Sequence, residues 1–226
     1  MRTQHLFSAV LLLTITLITG CEVTQSETVR VQPVPPAQAY NLASVRGMVP
    51  GEWFHFDLAG YDSNGDPWHG SVTKSGLAQR WVEGTWTTPT LTEMTLTHEP
   101  SGSSVYRSMT LYLDGYGQEV RLDLDSGVVC YPQLTNDIPA YAYAGDYGDL
   151  GIMLCSDGTE LHGIWDLYQN RDNSADFVTL STFWYGSDAL SSTEVTQTLA
   201  PDGLIIGYAI SLYLPDYGVT LWMDSL

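Results

Sequence analysis

The sequence predicts an all-β fold, in which antiparallel hairpins from an internal duplication form a pseudo-symmetric barrel or sandwich. Composition is the first reason. The chain of 226 residues holds 14 Tyr and 7 Trp but only 15 % charged residues, with many Thr and Ser, and such side chains suit a pleated, half-buried surface. Texture is the second. Beyond residue 40, short apolar alternations are separated by Gly, Asn, Asp and Pro, and no run keeps a helical apolar period. Self-similarity is the third.

The block Met109-Thr110-Leu111-Tyr112-Leu113-Asp114-Gly115-Tyr116-Gly117 returns without a gap as Ile210-Ser211-Leu212-Tyr213-Leu214-Pro215-Asp216-Tyr217-Gly218. Over the fifteen positions 109–123 and 210–224 there are six identities. A weaker echo sets Asn64–Gly70 over Asp157–Gly163. The expected halves are residues 45–131 and 140–226. Each copy of the stronger block reads as a hairpin whose apolar residues share one face. A four-residue turn at 114–117 sets Leu113 opposite Gln118, Leu111 opposite Val120 and Met109 opposite Leu122. The same geometry sets Leu214 opposite Val219, Leu212 opposite Leu221 and Ile210 opposite Met223. Further strands are expected at 52–60, 67–75, 79–86, 92–98, 150–155, 161–168, 176–184 and 192–199. Short strands at regular spacing point to a sandwich or barrel. The short stretch at 132–149 and the few large aliphatics in each half favour one unit, residues 41–226, over two.

The N-terminus has a different texture. One firm positive charge, at Arg2, precedes an apolar run from Leu6 to Ile18. Its thirteen residues span roughly 20 Å as a helix, short of the ~30 Å hydrocarbon core, as in a signal peptide. The run ends in Ile18-Thr19-Gly20-Cys21, which resembles the bacterial lipobox. The resemblance implies removal of residues 1–20, lipid on Cys21 and a membrane anchor in the cell envelope. Glu22 stands where an aspartate most often marks inner-membrane retention, which favours the outer membrane in a Gram-negative source. Residues 21–40, polar and then Pro-rich, read as a flexible tether. Of the three cysteines, lipidation removes Cys21 and leaves Cys130 and Cys155 to form a disulfide in an oxidising compartment.

Beyond the first twenty residues stand 26 acidic residues against seven basic ones, a surface that repels nucleic acid. No nucleophile elbow, zinc-binding helix motif or phosphate-binding glycine loop occurs, and no cofactor is implied. Three features carry candidate chemistry. His55, Asp57 and His69 fall on one face of two adjacent expected strands, a pattern able to ligate a transition metal. Asp62-Ser63-Asn64-Gly65-Asp66 has the oxygen-rich look of a calcium loop but the residues of an ordinary turn. Tyr112 and Tyr213 sit opposite the leucines of the two hairpins, where rings can stack on sugars or pack on a partner. The expected function is a non-catalytic, lipid-anchored envelope protein presenting a β domain to an envelope protein or polysaccharide. Two alternatives are a lipocalin-like barrel holding a small apolar ligand and a polysaccharide-active hydrolase or lyase.

Overall fold

The computed structural model describes residues 38–226. Strand β1 (Ala39–Asn41) and one helical turn, α1 (Ala43–Arg46), lead into a long series of strands. These are β2 (Trp53–Asp62), β3 (Pro67–Gly76), β4 (Arg80–Val82), β5 (Thr85–His98), β6 (Ser103–Leu113), β7 (Glu119–Leu124) and β8 (Val129–Thr135). After β9 (Tyr141–Tyr143) follow β10 (Tyr147–Cys155), β11 (Glu160–Gln169), β12 (Ala175–Tyr185), β13 (Asp188–Leu199), β14 (Ile205–Leu214) and β15 (Val219–Ser225).

Twelve of the strands form a meander in which each pairs antiparallel with the next, skipping β4 and β9, and β15 returns to pair with β2. The result is a closed twelve-strand barrel rather than a sandwich, and closure removes the free edges that would otherwise template aggregation. Period-two patterning decides which side faces in. On β2, Phe54, Phe56 and Leu58 point inward while Trp53, His55 and Asp57 are exposed. On β12, β13 and β14 the inward residues include Phe177, Val195, Leu199, Ile210 and Leu212. The outward positions of these strands mix Thr182, Ser192, Thr196, Thr198 and Ser211 with Asp176, Glu194, Val178, Leu180, Trp184 and Tyr213. The interior is mostly apolar, whereas the outer wall carries polar side chains together with exposed Trp53, Ile164, Tyr168, Tyr213 and Trp222.

A meander places alternate connections at opposite ends. One end carries six short hairpins, between β2 and β3, β5 and β6, β7 and β8, β10 and β11, β12 and β13, and β14 and β15. Its lumen beside β2, β3, β5, β14 and β15 is filled by Trp68, Leu96, Leu214 and Leu221. The opposite end is stoppered by residues 39–48. There β1 pairs with β9, Leu42 donates its N–H to the Ala140 carbonyl at 2.9 Å, and Met48 donates to Thr90 Oγ1 at 3.0 Å. Tyr40 and Leu42 are fully buried and Val45 nearly so, against Trp165, Leu167, Phe177 and Leu199. Burying each large side chain contributes roughly 1.5–3 kcal/mol. The expected tether therefore ends earlier than residue 40, because Tyr40 belongs to this stopper. Its preceding residues, with Cys21 and the signal segment, lie outside the described residues.

Two sequence expectations need correction. The second hairpin pairs as expected, with Leu214, Leu212 and Ile210 opposite Val219, Leu221 and Met223. The first does not. Asp114 Oδ1 accepts the N–H groups of Tyr116 and Gln118, which lengthens the turn, and a bulge at Val120 shifts the register. Leu113 thus faces Glu119, Leu111 faces Leu122 and Met109 faces Leu124. The two hairpins also lie at opposite ends of the barrel, so the strand order does not confirm the duplication as a symmetry of the fold. The other correction is at 79–86, expected as one strand. It is the tight hairpin β4–β5, turned at Glu83 and Gly84 with φ of 49° and 77°. Two successive positive φ values match the twist of the flanking strands.

Cys130 and Cys155 form the expected disulfide, joining β8 and β10 at a directly paired position. Closing a loop of 25 residues stabilises the folded state by about 3 kcal/mol in the chain-entropy account. Replacing both cysteines by alanine is expected to lower the thermal midpoint by several degrees without changing the far-ultraviolet circular dichroism spectrum.

Candidate functional site

Small residues line up around the inner wall. Gly151 on β10 pairs with Gly163 on β11, Gly163 with Ser181 on β12, and Ser181 with Thr193 on β13. All four line the interior; the Leu150 side chain packs over Gly163, 3.0 Å from where a Cβ would stand, and Ser181 and Thr193 contribute the small inward side chains beside it. Gly151 has no substitute: its φ is +100° and an added Cβ would lie 1.9 Å from the Leu134 carbonyl oxygen. Beside these residues lies an internal cavity of about 300 Å³, walled by Phe54, Leu111, Leu122, Leu124, Ile138, Leu150, Met153, Leu161, Phe177, Phe183 and Val195. Met109 also lines it and points inward, yet is 43 % exposed; the lumen therefore meets solvent beside Met109, on the hairpin side. A wider cleft of about 680 Å³ crosses the outside of the stopper near Trp53 and Leu204, but it is an open surface groove.

Besides the small hydroxyl side chains of Thr90, Thr92, Thr179, Ser181 and Thr193, five larger polar side chains break this apolar lining: Arg46, Lys74, Glu119, Gln197 and Tyr208. Lys74 stands opposite Phe54 across β2 and β3, and its Nζ donates to the Val45 and Ser44 carbonyls at 3.3 and 3.5 Å. Burial pulls its ammonium down to about 8. No carboxylate lies within ion-pair distance of it among the described residues. Gln197 and Tyr208 face each other across β13 and β14, each 8 % exposed. The Gln197 Oε1 has no hydrogen-bond partner among the described residues. An orphaned buried acceptor of this kind costs about 1–3 kcal/mol. Burial alone raises the Tyr208 hydroxyl well above its ordinary value. The Phe54 and Phe56 rings each lie 6.4 Å from the Tyr208 ring, so an aromatic wall runs beside these polar tips. Glu119 lies nearer the stoppered end, in a recess it shares with Arg46 and Ile138, and burial pushes its carboxyl up to about 7.

The candidates legible in sequence are placed elsewhere, on the outer surface or at turns. His55 and Asp57 come together, Nε2 to Oδ1 at 3.3 Å. His69 shares their outward face but stands opposite Ala59 and pairs with Glu99 at 3.5 Å. Four residues of strand, roughly 13 Å, separate its position from that of His55, so the three do not form one site. Asp62–Asp66 is a turn, in which Asp62 Oδ1 accepts the N–H groups of Asn64 and Asp66. His98, which sequence spacing did not connect to it, approaches Asp66 at 3.5 Å, and one ligand atom each from Asp62, Asp66 and His98 lie within 4.8 Å of one another. Both Asp62 oxygens are already committed, Oδ2 to the Trp68 indole at 3.2 Å. Burial pushes the Asp62 carboxyl up, but the indole and backbone donors outweigh it and hold the group below its ordinary value.

The paired tyrosines part company. Tyr213 is exposed on the outer wall as expected. Tyr112 is only 3 % exposed, because the β4–β5 hairpin folds over it. The Arg80 guanidinium lies 4.8 Å from its ring centre and donates to its hydroxyl, which in turn donates to Asp123 Oδ2 at 3.0 Å. It is therefore a packing residue and not a stacking platform.

No family model matches the sequence, and no curated protein or solved structure was found to be similar to it.

The interior carboxyl makes stability depend on pH. Folded, Glu119 keeps its proton to about pH 7, whereas in the unfolded chain it releases it near 4.5. Between these values the folded state binds more protons, so stability is lost as pH rises through that window. Lys74 acts in the opposite sense above pH 8, where the unfolded chain holds the extra proton. Denaturant titrations of Glu119→Gln against the parent chain are expected to differ little at pH 4.5. By pH 7.5 the variant should be the more stable, by up to about 3 kcal/mol.

Proposed function

We propose that this protein is a binding protein for a small amphipathic molecule, carried inside the barrel and not on its surface. The internal cavity carries the reading. It is concave and mostly apolar, has a few inward polar groups, and is bordered by the small inward side chains of Ser181 and Thr193. These are the properties of small-molecule sites, and about 300 Å³ is at the lower end of their size range. The lipobox-like Ile18–Cys21 supports placing this carrier at a cell-envelope membrane, with the segment before residue 38 as its tether. The acidic exterior favours solubility over nucleic-acid contact.

Two measurements test this. A naphthalene-based fluorescent probe of apolar sites should bind one per chain to residues 21–226 carrying Cys21→Ser, the expected processed chain without its lipid. Ser181→Phe, placed opposite Gly163 in the row of small residues, should abolish that binding while leaving the thermal midpoint unchanged or raised. Undiminished binding by a folded Ser181→Phe protein defeats the cavity reading. For the anchor, mass spectrometry of the chain purified from its own envelope should show diacylglycerol on Cys21, and an unmodified or uncleaved N-terminus would refute it.

A further inference from the structure

Resting on the cavity reading, the polar groups inside the barrel narrow the ligand to one chemical class. Lys74, Tyr208 and Gln197 belong to one stretch of wall. Lys74 pairs across the sheet with Phe54, whose ring lies beside that of Tyr208, and Tyr208 pairs with Gln197. All three line the same cavity. Lys74 brings a cation with no carboxylate partner among the described residues, its nitrogen held only by two backbone carbonyls at 3.3 Å or more. Tyr208 brings a hydroxyl free to donate. Gln197, more than nine-tenths buried, brings an amide whose Oε1 has no partner, and whose two ends are interchangeable as donor and acceptor. One unneutralised positive charge with a hydroxyl and an amide in the same lining suits a singly charged planar acceptor. A second cation would repel Lys74. A doubly charged phosphate ester would be only half neutralised, since Arg46 reaches away toward the Tyr116 carbonyl.

The remainder of the lining sets the ligand's body. From the polar stretch the cavity runs past Ser181 and Gly163 to Leu124, Leu161, Phe183 and the exposed Met109, with no charged side chain in that half. An apolar cavity of roughly 150 Å³ accepts a benzene ring, so about twice that volume accepts about a dozen non-hydrogen atoms. Glu119, the one acid in the lining, sits in the recess shared with Arg46 and Ile138 and not beside Lys74 in the strand order; it retains its proton to about pH 7. We propose that the ligand is a small monocarboxylic acid with an apolar body, its carboxylate held by Lys74, Tyr208 and Gln197 and its body directed toward Leu124 and Phe183.

Three probes with one chain length and different heads decide it: decanoate, 1-decanol and decylamine, titrated at pH 7 by calorimetry into the same processed chain, residues 21–226 carrying Cys21→Ser. Decanoate is expected to bind about tenfold tighter than 1-decanol, the worth of a charge-assisted hydrogen bond, and decylamine the weakest. Lys74→Met should erase the preference for decanoate while leaving 1-decanol binding intact. Gln197→Leu should weaken decanoate several-fold, and it provides the same reading should Lys74→Met fail to fold. Equal affinity for decanoate and 1-decanol, unmoved by either variant, overturns the carboxylate assignment but leaves the cavity reading standing. Tightest binding by decylamine overturns it too and transfers the head group to Glu119. If none of the three binds and none displaces the naphthalene probe, the cavity reading itself fails.

Discussion

The number of strands in the closed sheet is the constraint from which the rest follows. Barrel diameter grows with strand number, and about eight strands already enclose an interior that side chains just fill or that holds one small ligand. Twelve strands enclose more than their own side chains can occupy. The chain meets the excess in three ways. At the hairpin end, large residues such as Trp68 and Leu221 fill one side of the lumen. At the other end a separate segment, with Tyr40, Leu42 and Val45, enters and stoppers the opening. Between them, beside the small side chains of Ser181 and Thr193, volume is left unfilled. The stopper and the cavity are thus consequences of the same geometry.

That geometry also explains why polar groups in the interior carry so much weight. Against the outer wall, ion pairs such as His55 with Asp57 are half in water, and such pairs contribute little. Inside, Lys74 has only two backbone carbonyls and no carboxylate near it among the described residues, the Gln197 Oε1 has no protein partner, and the Glu119 carboxyl is buried, so the folded state bears their cost. A protein free to optimise stability alone would place leucine or methionine at these positions. Their retention beside an aromatic wall is what a site for a polar-headed molecule requires, since a ligand supplies the missing partners only when bound. The two carbonyls that hold Lys74 belong to the stopper, so the segment that seals the lumen also orients the interior cation.

The strands were legible in sequence because period-two patterning is a local property. Phe54, Phe56 and Leu58 announce an inward face whatever the strand meets. The hairpin at 210–223 was legible down to its register, since nothing intervenes between turn and pairing. Its partner at 109–124 was misread because Asp114 captures two further backbone N–H groups, a side-chain contact that residue type alone leaves open. The stopper was missed for a different reason: Tyr40 and Leu42 lie in a short segment with no period, and their burial depends wholly on the barrel end they enter. The candidate site was barely legible. A lone lysine, one glutamate, one glutamine and one tyrosine lie on four different strands, and only closure of the sheet brings them to one lumen. One signal was present and unread: inward positions filled by the small side chains of Ser181 and Thr193 on consecutive strands.

The tyrosines at 112 and 213 show how little a shared block settles. Both follow a leucine in the same motif and both point outward. One is covered by a hairpin inserted between β3 and β5 and engaged by Arg80 and Asp123, while the other stays at the surface. The insertion uses two of the few basic residues on the molecule, Arg80 and Arg121, to secure a patch of outer wall. With 26 acids in the chain, cations are scarce, and their allocation is informative. Arg80 and Arg121 hold the flap, Arg46 at the edge of the lumen caps the turn after β6, and Lys74 is set inside the lumen with no carboxylate in ion-pair distance among the described residues. A cation withheld from an anionic surface and placed in an apolar chamber acts only on what enters that chamber.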